Sequence, residues 1–168
     1  MSSIQAMIER LAQLDELHRA LLHLGEQKRD VLIRNKVNEL SVLVNQEIKL
    51  LKQAYEAENG WRTAIAEFLQ SNGIQAGSSV TVTNISAFFD NEEDRRKLQE
   101  LQQSLMRSIE GLKVTNNQNQ QLIEQSLAFI NYSLDLLMGD SGDDPIYHNP
   151  VRTPAAGQQG RRLFDTRA

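Results

Sequence analysis

The sequence predicts an all-α protein: an elongated antiparallel helical hairpin of coiled-coil type, a long third helix and a disordered C-terminal tail. Three observations carry this. Apolar residues recur at steps of three and four through most of the chain. β-branched residues alternate with polar ones only around "SSVTVTNIS". The three prolines, Pro145, Pro150 and Pro154, all fall beyond the last helical pattern, where they interrupt no helix.

The first helix is expected over residues 2–34. Ser2 and Gln5 stand at capping-box spacing, and Ile4, Met7, Ile8, Leu11, Leu14, Leu17, Leu21, Leu24, Val31 and Leu32 follow on one stripe. Around "IRNKVNEL" the stripe weakens and Asn35 is suited to a left-handed stop, so the chain reverses between Arg34 and Asn38. The second helix, over 37–70, places Val37, Leu40, Val44, Ile48, Leu51, Tyr55, Ile65, Phe68 and Leu69 on one face. Gly60 inside it marks a bend or a close contact, because a mid-helix glycine costs roughly 1 kcal/mol relative to alanine. "QSNG" supplies Asn72 and Gly73 to end it.

Residues 73–90 read as a connector. The alternation in "SSVTVT" has no partner strand elsewhere, so the stretch is expected to form a short turn. Thr83 or Asn84 caps that turn, which buries Ile85, Phe88 and Phe89. Asp90 through Asp94 favour the start of a third helix, expected over 91–138 and about 70 Å long, against about 45–50 Å for the first two. Its surplus is either covered by something else or left bare. "NEEDRRKLQE" reads as a solvated face with pairs such as Glu92 with Arg96. The helical domain is therefore expected over 1–138 and the tail over 139–168, where the composition is that of disorder.

Composition narrows the function. With 18 basic and 22 acidic side chains the net charge is −4, and no basic footprint for nucleic acid is present. Cysteine is absent, which removes disulfides, thiolate catalysis and cysteine metal sites together. No apolar run of about 18 residues offers a membrane span, and "MSSIQAMIER" lacks the order of a signal peptide. The expectation is a cytoplasmic protein with no direct membrane insertion. His18 and His23 do not share a helix face, and His23 with Glu26 is one isolated pair, short of a carboxylate-bridged metal centre. Phosphate loops and nucleophile elbows are missing. No catalytic residue, metal or cofactor is expected.

One stretch stands apart. From Asn116 to Gln121 the side chains are all amides, and an amphipathic pattern follows. Asn116 and Asn119 occupy positions that apolar residues fill on either side, where buried amides set register and partner choice. Beyond them Ile123, Leu127, Ile130, Leu134 and Leu137 form a stripe, with Phe129 and Tyr132 offset from it. Two readings stand at this point: the stripe closes onto the first helix, or it forms the wall of a groove that accepts a partner's amphipathic helix.

"KRDVLIRNKVNELSVLVNQEIKLL", "NNQNQQLIEQSLAFINYSLDLLMG" and the terminal "FDTRA" together resemble the FlgN family of flagellar type III export chaperones. The second motif is the most specific. Lys36 departs from the family pattern, which often has an acidic cap after Asn35. The resemblance implies a chaperone without ATPase activity that binds the C-terminal helical segments of hook–filament junction proteins of the FlgK/FlgL type. It keeps them from assembling early and delivers them to the flagellar export gate. Carried onto this chain, it assigns client binding to Ile123, Leu127, Ile130, Leu134 and Leu137, with Phe129 and Tyr132 widening the groove. Tyr147 and Phe164 become export-gate docking anchors. The rival reading is a structural coiled-coil adaptor that self-associates through the same stripe as a homo-oligomer.

Overall fold

Residues 2–75 and 80–139 are described by a computed structural model. Among them are four helices and no strand: α1 Ser3–Ile33, α2 Val37–Ser71, α3 Val82–Ser86 and α4 Glu92–Met138. The all-α expectation holds, and α4 is the long helix that the sequence places third. The chain divides into two units, Met1–Leu127 and Ala128–Ala168, and α4 contributes residues to each. The tail expected to be disordered lies, from residue 140 onward, outside the described residues.

The helix ends follow local chemistry. Ser2 caps α1, its hydroxyl accepting from the Gln5 amide at 3.3 Å. At the other end Asn35 is left-handed, with φ 55°. Its amide donates to Leu32 O and that of Lys36 to Val31 O, the paired bonds of a Schellman stop. Gly73, with φ 70°, repeats the device after α2: its amide reaches Gln70 O, and that of Ile74 reaches Leu69 O. Lys36 precedes α2 without any side-chain cap and pairs instead with Glu39 at 3.0 Å. The departure from the family pattern therefore leaves this helix start uncapped.

The single stripe expected on α2 is in fact two. Leu40, Leu43, Leu50, Ala54, Ala57, Trp61, Ala64 and Phe68 are buried or half-buried, at heptad spacing that includes Glu47. This face packs on α1. Lys28 joins Glu47 at 2.7 Å, and Gly60 lies beneath the Arg10 side chain, where an added Cβ would sit 3.5 Å from Arg10 Cδ. That is an ordinary van der Waals distance, so the packing does not require a glycine there. Val37, Val44, Ile48, Leu51 and Tyr55 form a second stripe, exposed along its length. The two merge in the sequence because both are apolar and lie about one residue apart around the helix.

At the end where α2 finishes and α4 begins, Met7, Ile8 and Leu11 meet Ala64, Phe68, Ile85, Phe89 and Leu98 in one apolar cluster. Phe68 and Phe89 pack edge to face with centroids 5.7 Å apart, worth about 0.5–1.5 kcal/mol beyond their area. The connector supplies two of these residues. Thr81, rather than Thr83 or Asn84, caps α3. Ile85 and Phe89 are buried as expected, but Phe88 is exposed, because the helical turn that follows α3 returns Phe89, four residues on, to the side of Ile85. Arg95 fastens the connector from α4, donating to Ser86 O and Phe89 O. Asn91 Oδ1 accepts from the Glu93 amide at 3.0 Å, and Glu92, Glu93 and Asp94 place negative charge in the first turn of α4. Arg96 pairs with Glu100 at 3.8 Å rather than with Glu92.

The left-handed Asn35 gives the first test. Asn35→Val should lower unfolding stability by about 1–2 kcal/mol, whereas Asn35→Gly should leave it unchanged or raised by a few tenths. Urea denaturation measures both. Equal stability for the two variants would mean that the reversal does not depend on this backbone conformation.

Candidate protein-binding site

α4 runs parallel to α1, and their side chains meet at one constant separation in sequence. Gln5 bonds Asp94, Asp15 bonds Ser104 and Arg29 bonds Gln118, each pair 89 residues apart. Small residues let the two backbones approach. A Cβ added to Gly111 would lie 3.1 Å from the Leu22 methyls, and one added to Gly25 would lie 3.2 Å from Thr115 Cγ2. Beyond the apolar contact of Leu98 with the core cluster, this seam carries buried polar groups. Asp15 is 2% exposed, and its Oδ2 accepts from the Ser104 hydroxyl at 3.0 Å and faces Arg19 at 3.2 Å.

The amide pair separates in this setting. Asn119 is 4% exposed and donates through Nδ2 to the Gly25 carbonyl at 3.0 Å. Its Oδ1 has no hydrogen-bond partner among the described residues. Asn116 is exposed, which corrects the expectation of two buried amides. Thr115 takes the inward position instead, because the packing stripe runs through Ser108, Leu112, Thr115, Asn119 and Leu122 at steps of four and three.

The same 89-residue offset places Ile33, the last residue of α1, level with Leu122. Ile123 and Leu127 therefore follow the last position that α1 can cover. Ile123 is exposed and Leu127 half-buried. In the second unit the helical residues Ala128–Met138 carry Ile130, Leu134 and Leu137 on one face, 51%, 44% and 83% exposed. Phe129 and Tyr132 are exposed as well, at 70% and 63%. Leu136, which the sequence reading left out, joins them at the helical spacing of Phe129 and Tyr132. The exposed α2 stripe was likewise missed, and heptad bookkeeping against the α1-facing set would have found it. Tyr147 and Phe164 lie outside the described residues.

Among the described residues no cluster of His, Asp and Glu is placed to hold a metal ion. No helix there is long and apolar enough to cross a membrane. What the arrangement offers chemically is apolar helix surface edged by amides and few charges, suited to burying another amphipathic helix.

Comparison with known proteins points the same way. The family described as "FlgN protein" matches residues 1–153. "Uncharacterized protein YvyG" of Bacillus subtilis (strain 168) is 28% identical over 169 aligned positions, covering 99% of each chain. No solved structure matches.

Asn119→Leu should raise stability by about 1 kcal/mol, since it removes a buried amide oxygen with no partner, while Asn116→Leu should change it little. Thermal unfolding of both variants checks this. A loss of stability on replacing Asn119 would show that its bond to Gly25 outweighs the unpaired oxygen.

Proposed function

As the chain belongs to the FlgN family, a family of flagellar export chaperones and not of enzymes, we propose that its clients are hook-associated proteins of the FlgK/FlgL type. Their C-terminal helical segments are held in the cytoplasm by the terminal turns of α4, which prevents early assembly and readies them for the flagellar export gate. Ile123, Leu127, Ile130, Leu134 and Leu137 supply the apolar contact, and Phe129 and Tyr132 extend it. Asn119 sets the register of α4 on α1. Tyr147 and Phe164 are the docking anchors for the export apparatus.

One observation carries the reading: the apolar side chains of the last turns of α4 are exposed. A client that ends in an oligomerisation helix has an apolar face of its own to hide, and mutual burial gains about 25 cal/mol per Å². A second reading, the self-associating coiled-coil adaptor, has the exposed α2 stripe in its favour.

Replacing both Ile130 and Leu134 with Asp should weaken capture of a hook-associated protein's C-terminal segment at least about hundredfold, because a carboxylate would be buried unpaired. Helical content should be retained, as both side chains are exposed in the free chain. Unimpaired capture, measured calorimetrically, would exclude this surface as the client site. For the adaptor reading, sedimentation of the parent beside a variant with Ile48→Asp and Leu51→Asp is decisive. A monomeric parent removes that reading, and a dimer dispersed by the substitutions establishes it.

A further inference from the structure

The helical residues Ala128–Met138 are apolar over far more of their circumference than one neighbouring helix covers. At 100° per residue, Ile130, Leu134 and Leu137 cluster on one side, while Phe129, Tyr132 and Leu136 cluster about a third of a turn away. Ser133 falls between the two sets, and its hydroxyl is already bonded to the Phe129 carbonyl at 2.9 Å, so it demands no outward polar partner. The apolar arc from Tyr132 to Leu134 spans roughly 200°. A helix packed on a single neighbour shows a stripe of about 100°, and one that is apolar nearly all round is a buried helix. All six apolar side chains are exposed in the free chain. The remaining edge carries Asn131 and Asp135 with Ala128 and Met138. From Val114 to Gly139 the charged residues are Glu124 and Asp135, both acidic.

We infer that this helix end is enclosed from two sides by one partner chain, which supplies a pair of amphipathic helices bearing basic residues beside the Asp135 edge. The inference rests on the proposed chaperone function and specifies the form of its client. One amphipathic helix seats on Ile130, Leu134 and Leu137. The second covers Phe129, Tyr132 and Leu136, and the two straddle Ser133. Burial of the second set is what a single client helix leaves undone, and the basic borders match the acidic edge of the site.

The test uses the full-length chain and the C-terminal region of a hook-associated protein prepared in two lengths, one containing a single amphipathic helix and the other two. Calorimetric titration should give a 1:1 complex with the longer probe. That complex should be weakened at least about hundredfold by I130D/L134D and, separately, by F129D/L136D. F129S/L136S, which removes apolar area without adding charge, should weaken it about tenfold. The shorter probe should respond to only one of the Asp pairs. Asp135→Lys should weaken the longer probe's binding most at low ionic strength. If F129D/L136D leaves the longer probe's affinity within about threefold of the parent while I130D/L134D abolishes it, the two-sided inference fails and the chaperone reading stands. Indifference to both pairs overturns the chaperone reading itself. A free chain that sediments as a dimer and is dispersed by F129D/L136D assigns the second face to another copy. A gain in affinity on removing residues 140–168 that depends on Phe129 and Leu136 assigns it to the chain's own C-terminus. Either result overturns the inference.

Discussion

The first unit depends on α1 serving two seams at once. Toward α2 it presents large apolar side chains to alanines, a combination that brings antiparallel helices close and buries area efficiently. Toward α4 it presents Asp15, Leu22 and Gly25 to Ser104, Gly111 and Thr115. The first seam stabilises, and the second aligns. A slip of α4 by four residues would set Leu22 against Arg107 or Thr115 instead of Gly111, whose missing Cβ leaves room for the Leu22 methyls. The bonds Gln5–Asp94, Asp15–Ser104 and Arg29–Gln118 share the 89-residue offset and so hold one register along the seam.

That alignment gives the exposed surface its meaning. Leu122 is half-buried and Ile123 exposed, because the two point about 100° apart around α4 and only Leu122 continues the stripe through Thr115 and Asn119. The helix ends are stopped by individual residues: Asn35 and Gly73 in left-handed conformation, and Ser2 and Asn91 through side-chain oxygens. The length of α1 is therefore encoded locally.

Much of this was legible in the sequence. Each of the three long helices was visible as a period near 3.6, and Ser2, Asn35 and Gly73 act as their residue types suggest, since cap and stop chemistry involves only a few neighbouring residues. The illegible parts are those set by a partner far away in the chain. Gly25 and Gly111 carry no side chain to signal a close approach. Asn116 and Asn119 look equivalent until the α1 face is known, because three residues along a helix shift direction by about 60°. The two stripes of α2 merged for the same reason. Phe88 and Phe89 are adjacent and alike, and only the turn after α3 separates them into an exposed ring and a buried one. The apolar turns at the end of α4 were visible as a pattern, but periodicity alone does not distinguish a covered face from an exposed one.

The constant 89-residue separation also sets an order of assembly. The reversal at Asn35 joins α1 to α2 with almost no intervening chain, so their pairing closes only short loops and belongs to the fast, local events of folding. Docking of α4 on that hairpin closes the longer connector between Ser71 and Glu92, and loop closure grows costlier with length, by about 0.6 kcal/mol for each doubling. During synthesis the hairpin exists before most of α4 has left the ribosome, and α4 is the last long helix to find its place. The last turns of α4 are thus the final helical turns, among the described residues, to be made.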